Sequence, residues 1–180
     1  MKLLAVVIIV TVFASAHQAS TQDVTTVAKV DLDRYIGEWY EVARFPNSFQ
    51  DDCLGDVKAT YMKRPDGRID VVNECREADG TNVARGVARI ADTSTNAKLE
   101  VRFAPAFLSF LPMVWGDYWI IGLAEDYSWA TVGSPDRDYL WILSRTPQLA
   151  EGAYAEAVER ATANGFEVSK LVRTPQRTAP

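Results

Sequence analysis

Asp31-Leu-Asp-Arg-Tyr-Ile-Gly-Glu-Trp-Tyr-Glu-Val-Ala-Arg44 opens the folded part of the chain. Within it Gly37 and Trp39 begin the first strand-like segment, over 38–45. A tryptophan at a strand start is ordinarily core, so the pair gains meaning only if later residues supply its partners. Downstream, short β-rich segments recur over 56–63, 68–75, 82–90, 97–103, 118–124, 128–133 and 139–145, each bounded by turn residues. Pro65-Asp66-Gly67 and Asp79-Gly80 are tight turns, because proline fixes φ and glycine accepts positive φ. In the fifth segment Leu99, Val101 and Phe103 point one way and Lys98, Glu100 and Arg102 the other.

Eight short antiparallel strands can close as a sandwich or as an up-and-down barrel. Hairpin-length links favour pairing of neighbours, and closure removes exposed edges. The expected fold is therefore all-β, an eight-stranded up-and-down antiparallel barrel wide enough for one small ligand. A single helix follows: Thr146 would cap it, Pro147 would occupy its first turn, and Gly165 would stop it. Leu149, Ala153, Ala157 and Ala161 form a one-sided stripe, so the helix should pack on the side of the barrel. A short strand is expected near 166–170, and a polar tail closes the chain.

In such a barrel the links alternate between two ends. Gly37 and Trp39 fall at the end opposite the 46–55 link, and Arg145, at the end of the eighth strand, reaches the same end. A guanidinium over an indole is a favourable pair, so Trp39 and Arg145 are expected in contact at a closed floor. Cys53 and Cys75 both fall at the other end, the mouth.

The sequence has 180 residues, 48% hydrophobic and 24% charged, with a net charge of −5. This is an ordinary single-domain composition. With no basic run it speaks against nucleic acid and against simple adhesion to anionic lipid. Lys2, an apolar run to Phe13 and Ala14-Ser-Ala16 read as a signal peptide over 1–16. Residues 17–27 read as a loose leader. Export permits a disulfide between Cys53 and Cys75, which the topology brings together; two buried thiols are the alternative. No cysteine stands beside the cleavage site for lipid attachment. The sole histidine, His17, lies in the leader, which removes a histidine-based triad and most zinc or haem sites from the domain. No catalytic, metal or cofactor site is expected.

Three ordered signatures now stand out: Gly37-Glu-Trp39, Glu125-Asp126-Tyr127 and Arg145. The sequence resembles the lipocalins over about 28–172. Residues 33–45 and Gly133-Ser-Pro-Asp-Arg-Asp-Tyr-Leu-Trp-Ile-Leu-Ser-Arg-Thr-Pro147 resemble the bacterial lipocalin and apolipoprotein D branch. The resemblance implies a calyx with a C-terminal helix on its side, binding fatty acids, lysophospholipids or similar apolar molecules, with 173–180 left as a tail. It places Gly37, Trp39, Asp126 and Arg145 at the barrel floor. Glu125 stands where many lipocalins have threonine and should still cap its turn. Bacterial relatives are typically anchored outer-membrane lipoproteins; with no lipidation cysteine here, the expected location is periplasmic, outer-membrane-associated or extracellular.

The resemblance also turns the inward faces into ligand contacts. Trp115 and Trp141 lead by motif position, with Tyr61, Val71, Asn73, Leu99, Val101, Phe103, Phe107 and Tyr118. Alternation alone does not decide between Tyr118 and Trp119. Tyr61 or Asn73 could hydrogen-bond a polar head group. The link Ala104-Pro-Ala-Phe-Leu-Ser-Phe-Leu-Pro-Met-Val-Trp115 is unusually apolar. It could fold over the cavity, cover a lipid tail as a lid, or touch membrane or a partner through 107–115. A lipocalin-like enzyme of isomerase type would require a free, inward Cys75. A homodimer is left open.

Overall fold

The computed structural model describes residues 22–177. The signal segment and the leader up to residue 21 lie outside the described residues. The chain begins its barrel with a one-turn helix, α1 (Leu32–Tyr35), capped by Asp31, whose carboxylate accepts from the Asp33 N–H at 3.0 Å. Eight strands follow: β1 (Gly37–Arg44), β2 (Gly55–Lys63), β3 (Ile69–Arg76), β4 (Thr81–Ile90), β5 (Lys98–Arg102), β6 (Gly116–Leu123), β7 (Trp129–Gly133) and β8 (Leu140–Ser144). Each pairs antiparallel with the next, and β1 pairs with both β2 and β8, so the sheet closes on itself. Helix α2 (Glu151–Ala163) lies against β6, β7 and β8, and β9 (Val172–Arg173) adds to the outer edge of β1 beside Ala43 and Arg44.

Small residues set the helix close to the barrel. Ala157 and Ala161 are fully buried. A Cβ on Gly122 would meet the stem of Arg160 at 2.9 Å. Thr131, wholly buried, donates its hydroxyl proton to the Ala157 carbonyl at 3.0 Å. Gly165, at φ +77°, ends the helix as expected of a C′ glycine. The start differs from expectation. Thr146 does not cap the helix, because its hydroxyl donates to the Gln148 carbonyl at 2.6 Å and holds a turn before the helix begins. The residue at the cap position is Ala150, with no side-chain bond. The short strand also lies later than expected: Val168–Lys170 is a 3-10 turn, and pairing begins at Val172.

Leader and tail are both more engaged than a loose segment. Val24 is buried, and the Val27 N–H donates to the Ile120 carbonyl at 3.0 Å. Thr174 is buried, and the Gln176 carboxamide donates to the carbonyls of Glu41 and Val57. Their apolar and amide groups fill gaps that the barrel wall leaves on its outside.

The floor is organised by Arg145. Its guanidinium carbon sits 3.8 Å from the Trp39 ring centre. One terminal nitrogen donates to the Glu38 carbonyl at 2.8 Å, and the other to the carbonyls of Arg34, Tyr35 and Ile36 at 2.6, 3.0 and 3.1 Å. The carbonyls of Arg34, Tyr35 and Ile36 are ones that α1 leaves without intrahelical partners, so Arg145 caps the helix and covers the indole together. Trp39, fully buried, donates its indole N–H to the Tyr35 carbonyl at 2.8 Å. Gly37 has φ +100°, and a Cβ there would stand 3.3 Å from the Arg145 guanidinium, so the turn conformation and the close approach both call for glycine.

The third signature joins the same end. Arg34 lies 4.0 Å over the Tyr127 ring and donates to the Glu125 carbonyl, while the Asp31 N–H donates to the Tyr127 hydroxyl at 2.9 Å. The capping expected of Glu125 falls to Asp126, which accepts from the Ser128 N–H at 2.9 Å. At the opposite end Cys53 and Cys75 form a disulfide with Cα atoms 5.6 Å apart, tying the 45–54 link to the end of β3.

Replacing Arg145 with alanine removes a cation–π contact of about 0.5–2 kcal/mol and hydrogen bonds to four backbone carbonyls, two of them part-buried. We expect Arg145→Ala to lower unfolding stability by about 3 kcal/mol in urea titration, with Arg145→Lys recovering only part of it. A loss below about 0.5 kcal/mol, the scale of an exposed charge, would show that the floor does not depend on this side chain.

Candidate functional site

The barrel encloses a cavity of about 700 Å³ that opens at the mouth, within the ~300–1,000 Å³ usual for small-molecule sites. Strand pairing explains its lining. Ala59 pairs with Asn73 and Asn73 with Ala84; Tyr61 pairs with Val71 and Val71 with Gly86. Directly paired residues share a face, so these side chains form successive rings around the interior. On β4 the inward positions are Asn82, Ala84, Gly86 and Ala88. That small-residue wall is what leaves space between the larger side chains of β2 and β8. The sequence signal was present as alternating small residues over 82–88, and Asn82 and Ala84 were not among the expected contacts.

Of those expected, Tyr61, Val71, Asn73, Val101, Phe103, Tyr118 and Trp141 line the cavity together. Phe103 follows β5 and folds its ring back over Gly86, where a Cβ would lie 2.8 Å from it. Tyr118, and not Trp119, faces inward, because Leu99 pairs with Tyr118 and shares its face. Trp119 turns outward beneath the Lys98 ammonium, 4.0 Å from its ring centre.

Two expected contacts, Leu99 and Phe107, fall elsewhere, and Trp115 lines the cavity only at its rim. Leu99 is buried in the apolar cluster of Trp39, Tyr61, Ile69 and Ile120 and does not line the cavity. Trp115 borders the rim, but its indole belongs to the outer wall. It has the parity of Asp117 and Trp119, lies 4.1 Å from the Arg89 guanidinium and 5.2 Å from that of Arg102, and donates to the Ser109 carbonyl at 2.9 Å. Arg102, on the face opposite Val101 as expected, is only 4% exposed, with its guanidinium 5.2 Å from that indole. Phe107 does not line the cavity. The 104–115 link turns twice, at Ala106–Leu108 and Pro112–Val114, and leaves Phe107, Phe110 and Met113 74%, 76% and 85% exposed. The two prolines keep it out of the sheet, and the Trp115 bond holds it against the outer rim. Its ends, at Ala104, Val114 and Trp115, border the cavity, while Phe107, Phe110 and Met113 face solvent.

The opposite lip carries an aromatic set. Tyr139 and Trp141 stack with ring centres 5.8 Å apart, and Phe49 approaches them at 5.7 and 6.3 Å. Trp141 is fixed by a polar chain that sequence reasoning missed. Its indole N–H donates to the Gln50 carboxamide oxygen at 3.2 Å, and Gln50 donates to the Glu41 carboxylate at 2.8 Å. Glu41 is buried and also accepts from Arg44 at 3.0 Å and from the Thr174 hydroxyl. The buried carboxylate is thus paired and hydrogen-bonded, as burial of a charge demands. A β-bulge between Glu41 and Ala43 re-aims β1 at this point.

At the deep end the Tyr35 and Tyr118 hydroxyls are 2.8 Å apart, and the Tyr61 hydroxyl donates to that of Tyr118 at 3.0 Å. Burial pushes all three phenols up, Tyr61 to about 12, so they remain protonated. At the rim, burial pushes the Asp117 carboxyl up, with Glu100 and Asp136 adding to the effect. Both cysteines of the chain are in the disulfide, so the inward thiol that an isomerase-type reaction would use is absent.

Comparison with known proteins agrees with this geometry. The lipocalin-like domain family matches residues 30–176. The chain is 44% identical over 161 residues to temperature-induced lipocalin-1 of Arabidopsis thaliana, covering 88% of this chain and 86% of that one. It is 38% identical over 167 residues to outer membrane lipoprotein Blc of Escherichia coli (strain K12), covering 92% and 90%. Apolipoprotein D of Mus musculus is 34% identical over 160 residues, covering 83% and 79%. Among solved structures, insecticyanin from Manduca sexta superposes with a TM-score of 0.69 at 18% identity, over 89% of this chain and 88% of that one. The chain belongs to the lipocalin family, in the branch of the bacterial lipocalins and apolipoprotein D, whose barrels bind small hydrophobic molecules.

Proposed function

We propose that the protein is a carrier of single-chain lipids, fatty acids or lysophospholipids, acting outside the cytoplasm after export by residues 1–16. The observation that carries this reading is the open, largely apolar cavity of about 700 Å³ above a sealed floor. Each methylene buried there contributes about 0.8 kcal/mol, so a chain of a dozen carbons gives useful affinity without any covalent chemistry. Asn73, whose side-chain oxygen is buried with no hydrogen-bond partner, stands midway up the wall and suits a polar group of the ligand. Trp141 and Phe49 form the lip past which the chain enters.

The 104–115 link is the element we assign to membrane contact. Phe107, Phe110 and Met113 are large, apolar and unshielded on one rim, and the net charge of −5 gives no electrostatic attraction to anionic lipid. Inserting each side chain is worth about 1.5–3 kcal/mol at full burial. A carrier whose ligand resides in bilayers gains by resting its mouth on one.

Titration with a fluorescent fatty acid should show one saturable site per chain, and Trp141→Ala should weaken it about tenfold (~1.4 kcal/mol). Absence of saturable binding for every single-chain lipid tried would contradict the carrier reading.

Sedimentation with phosphatidylcholine vesicles should capture the protein to the same extent in low and high salt, since apolar insertion is not screened. The triple change Phe107→Ser, Phe110→Ser, Met113→Ser should abolish capture while leaving fatty-acid binding in solution intact. Undiminished capture of that variant would remove the loop from the membrane role.

A further inference from the structure

The three phenols at the base of the cavity carry a proton that the protein does not use. Three neutral hydroxyls supply three protons, and the two hydrogen bonds among them take two. Tyr35 is buried, lies with its ring tilted 36° and 5.0 Å from that of Trp39, and does not line the cavity. Among the described residues its hydroxyl has no acceptor except Tyr118, so its proton is satisfied only by donation to Tyr118. Tyr61 donates to the same oxygen. Both lone pairs of Tyr118 are then occupied, and its own proton is the one left over. Tyr118 and Tyr61 both line the cavity, so the interior is the side from which an acceptor for that proton can come.

The surroundings define what it can meet. Val71, directly paired with Tyr61, is apolar. Among the described residues the nearby cations are otherwise engaged: Arg145 with Trp39 and four backbone carbonyls, and Lys58 with Glu38 and Glu74. A carboxylate brought this far down would be an uncompensated buried charge. A neutral oxygen would accept the Tyr118 proton and relieve an unpaired buried donor.

We propose that the calyx selects lipids whose leading, deep-lying end bears a neutral oxygen acceptor, a hydroxyl, carbonyl or ether, which accepts a hydrogen bond from Tyr118. This rests on the carrier reading and refines it: the charged head group stays toward the mouth, and the floor reads the far end of the chain. Tyr35 and Tyr61 act as positioning residues, since their donation to Tyr118 is what turns its proton upward.

The test compares hexadecanoic acid, 16-hydroxyhexadecanoic acid and 2-hydroxyhexadecanoic acid by isothermal titration. The wild-type chain should bind the 16-hydroxy acid about two- to tenfold more tightly than the unsubstituted acid, with no such gain for the 2-hydroxy acid. A floor without a free donor would instead bind the 16-hydroxy acid about tenfold or more weakly, because its hydroxyl would be buried without a partner. Tyr118→Phe should remove the preference, so that the 16-hydroxy acid binds no more tightly than hexadecanoic acid. Equal or weaker binding of the 16-hydroxy acid by the wild type overturns the proposal, as does a preference that survives in folded Tyr118→Phe. The three-ligand comparison needs no variant, so a Tyr118→Phe chain that fails to fold leaves the wild-type result decisive. Failure of all three acids to bind would instead overturn the carrier reading.

Discussion

The contact of Arg145 with Trp39 and with the carbonyls of residues 34, 35, 36 and 38 is the constraint on which the rest of the barrel depends. It joins the last barrel strand to the helix and turn that precede the first, at the place where the sheet must close. One cation serves the carbonyl end of α1 and the face of a buried indole. The glycine at 37 lets it approach, and Arg34 with Tyr127 ties the turn between β6 and β7 to the same helix. With the floor held by polar contacts beneath the fully buried Trp39, the interior above it need not be filled for the barrel to stay closed.

Space above the floor comes from asymmetry around the ring. β2 and β8 send in Tyr61, Trp141 and Leu143, whereas β4 sends in Ala84, Gly86 and Ala88. Close packing is the normal state of a protein interior, so an unfilled volume of this size needs a wall that cannot reach across it. The mouth is held open by other means. The disulfide fixes one side, the chain from Trp141 through Gln50 to Glu41 fixes the lip, and Trp115 keeps the apolar link against the outside of the rim.

Much of this was legible in the sequence wherever period-2 alternation and turn chemistry act locally. The eight strands fall within a residue or two of their expected bounds, and counting link ends was enough to bring Arg145 to Trp39 and Cys53 to Cys75. Motif position brought Trp115 to the cavity rim, but alternation does not carry through a link with two prolines, so the outward turn of its indole is set only by the pairing of β6 with β5. The same pairing settles Tyr118 over Trp119. The helix start was obscured because Thr146-Pro147 is a good cap in isolation, and only the Gln148 carbonyl shows that the hydroxyl is otherwise engaged. The Glu41 network joins residues more than a hundred positions apart, and no local pattern announces it.

The central claim is that the cavity between the β4 wall and Trp141 holds one lipid chain. Native mass spectrometry after incubation with hexadecanoic acid tests it directly, on the wild type and on Ala84→Phe, whose ring would occupy that space. One fatty acid per wild-type chain, with none on an Ala84→Phe variant that unfolds at the same temperature or higher, is the predicted result. An adduct retained in full by Ala84→Phe, or a wild-type chain that takes up none, would contradict it.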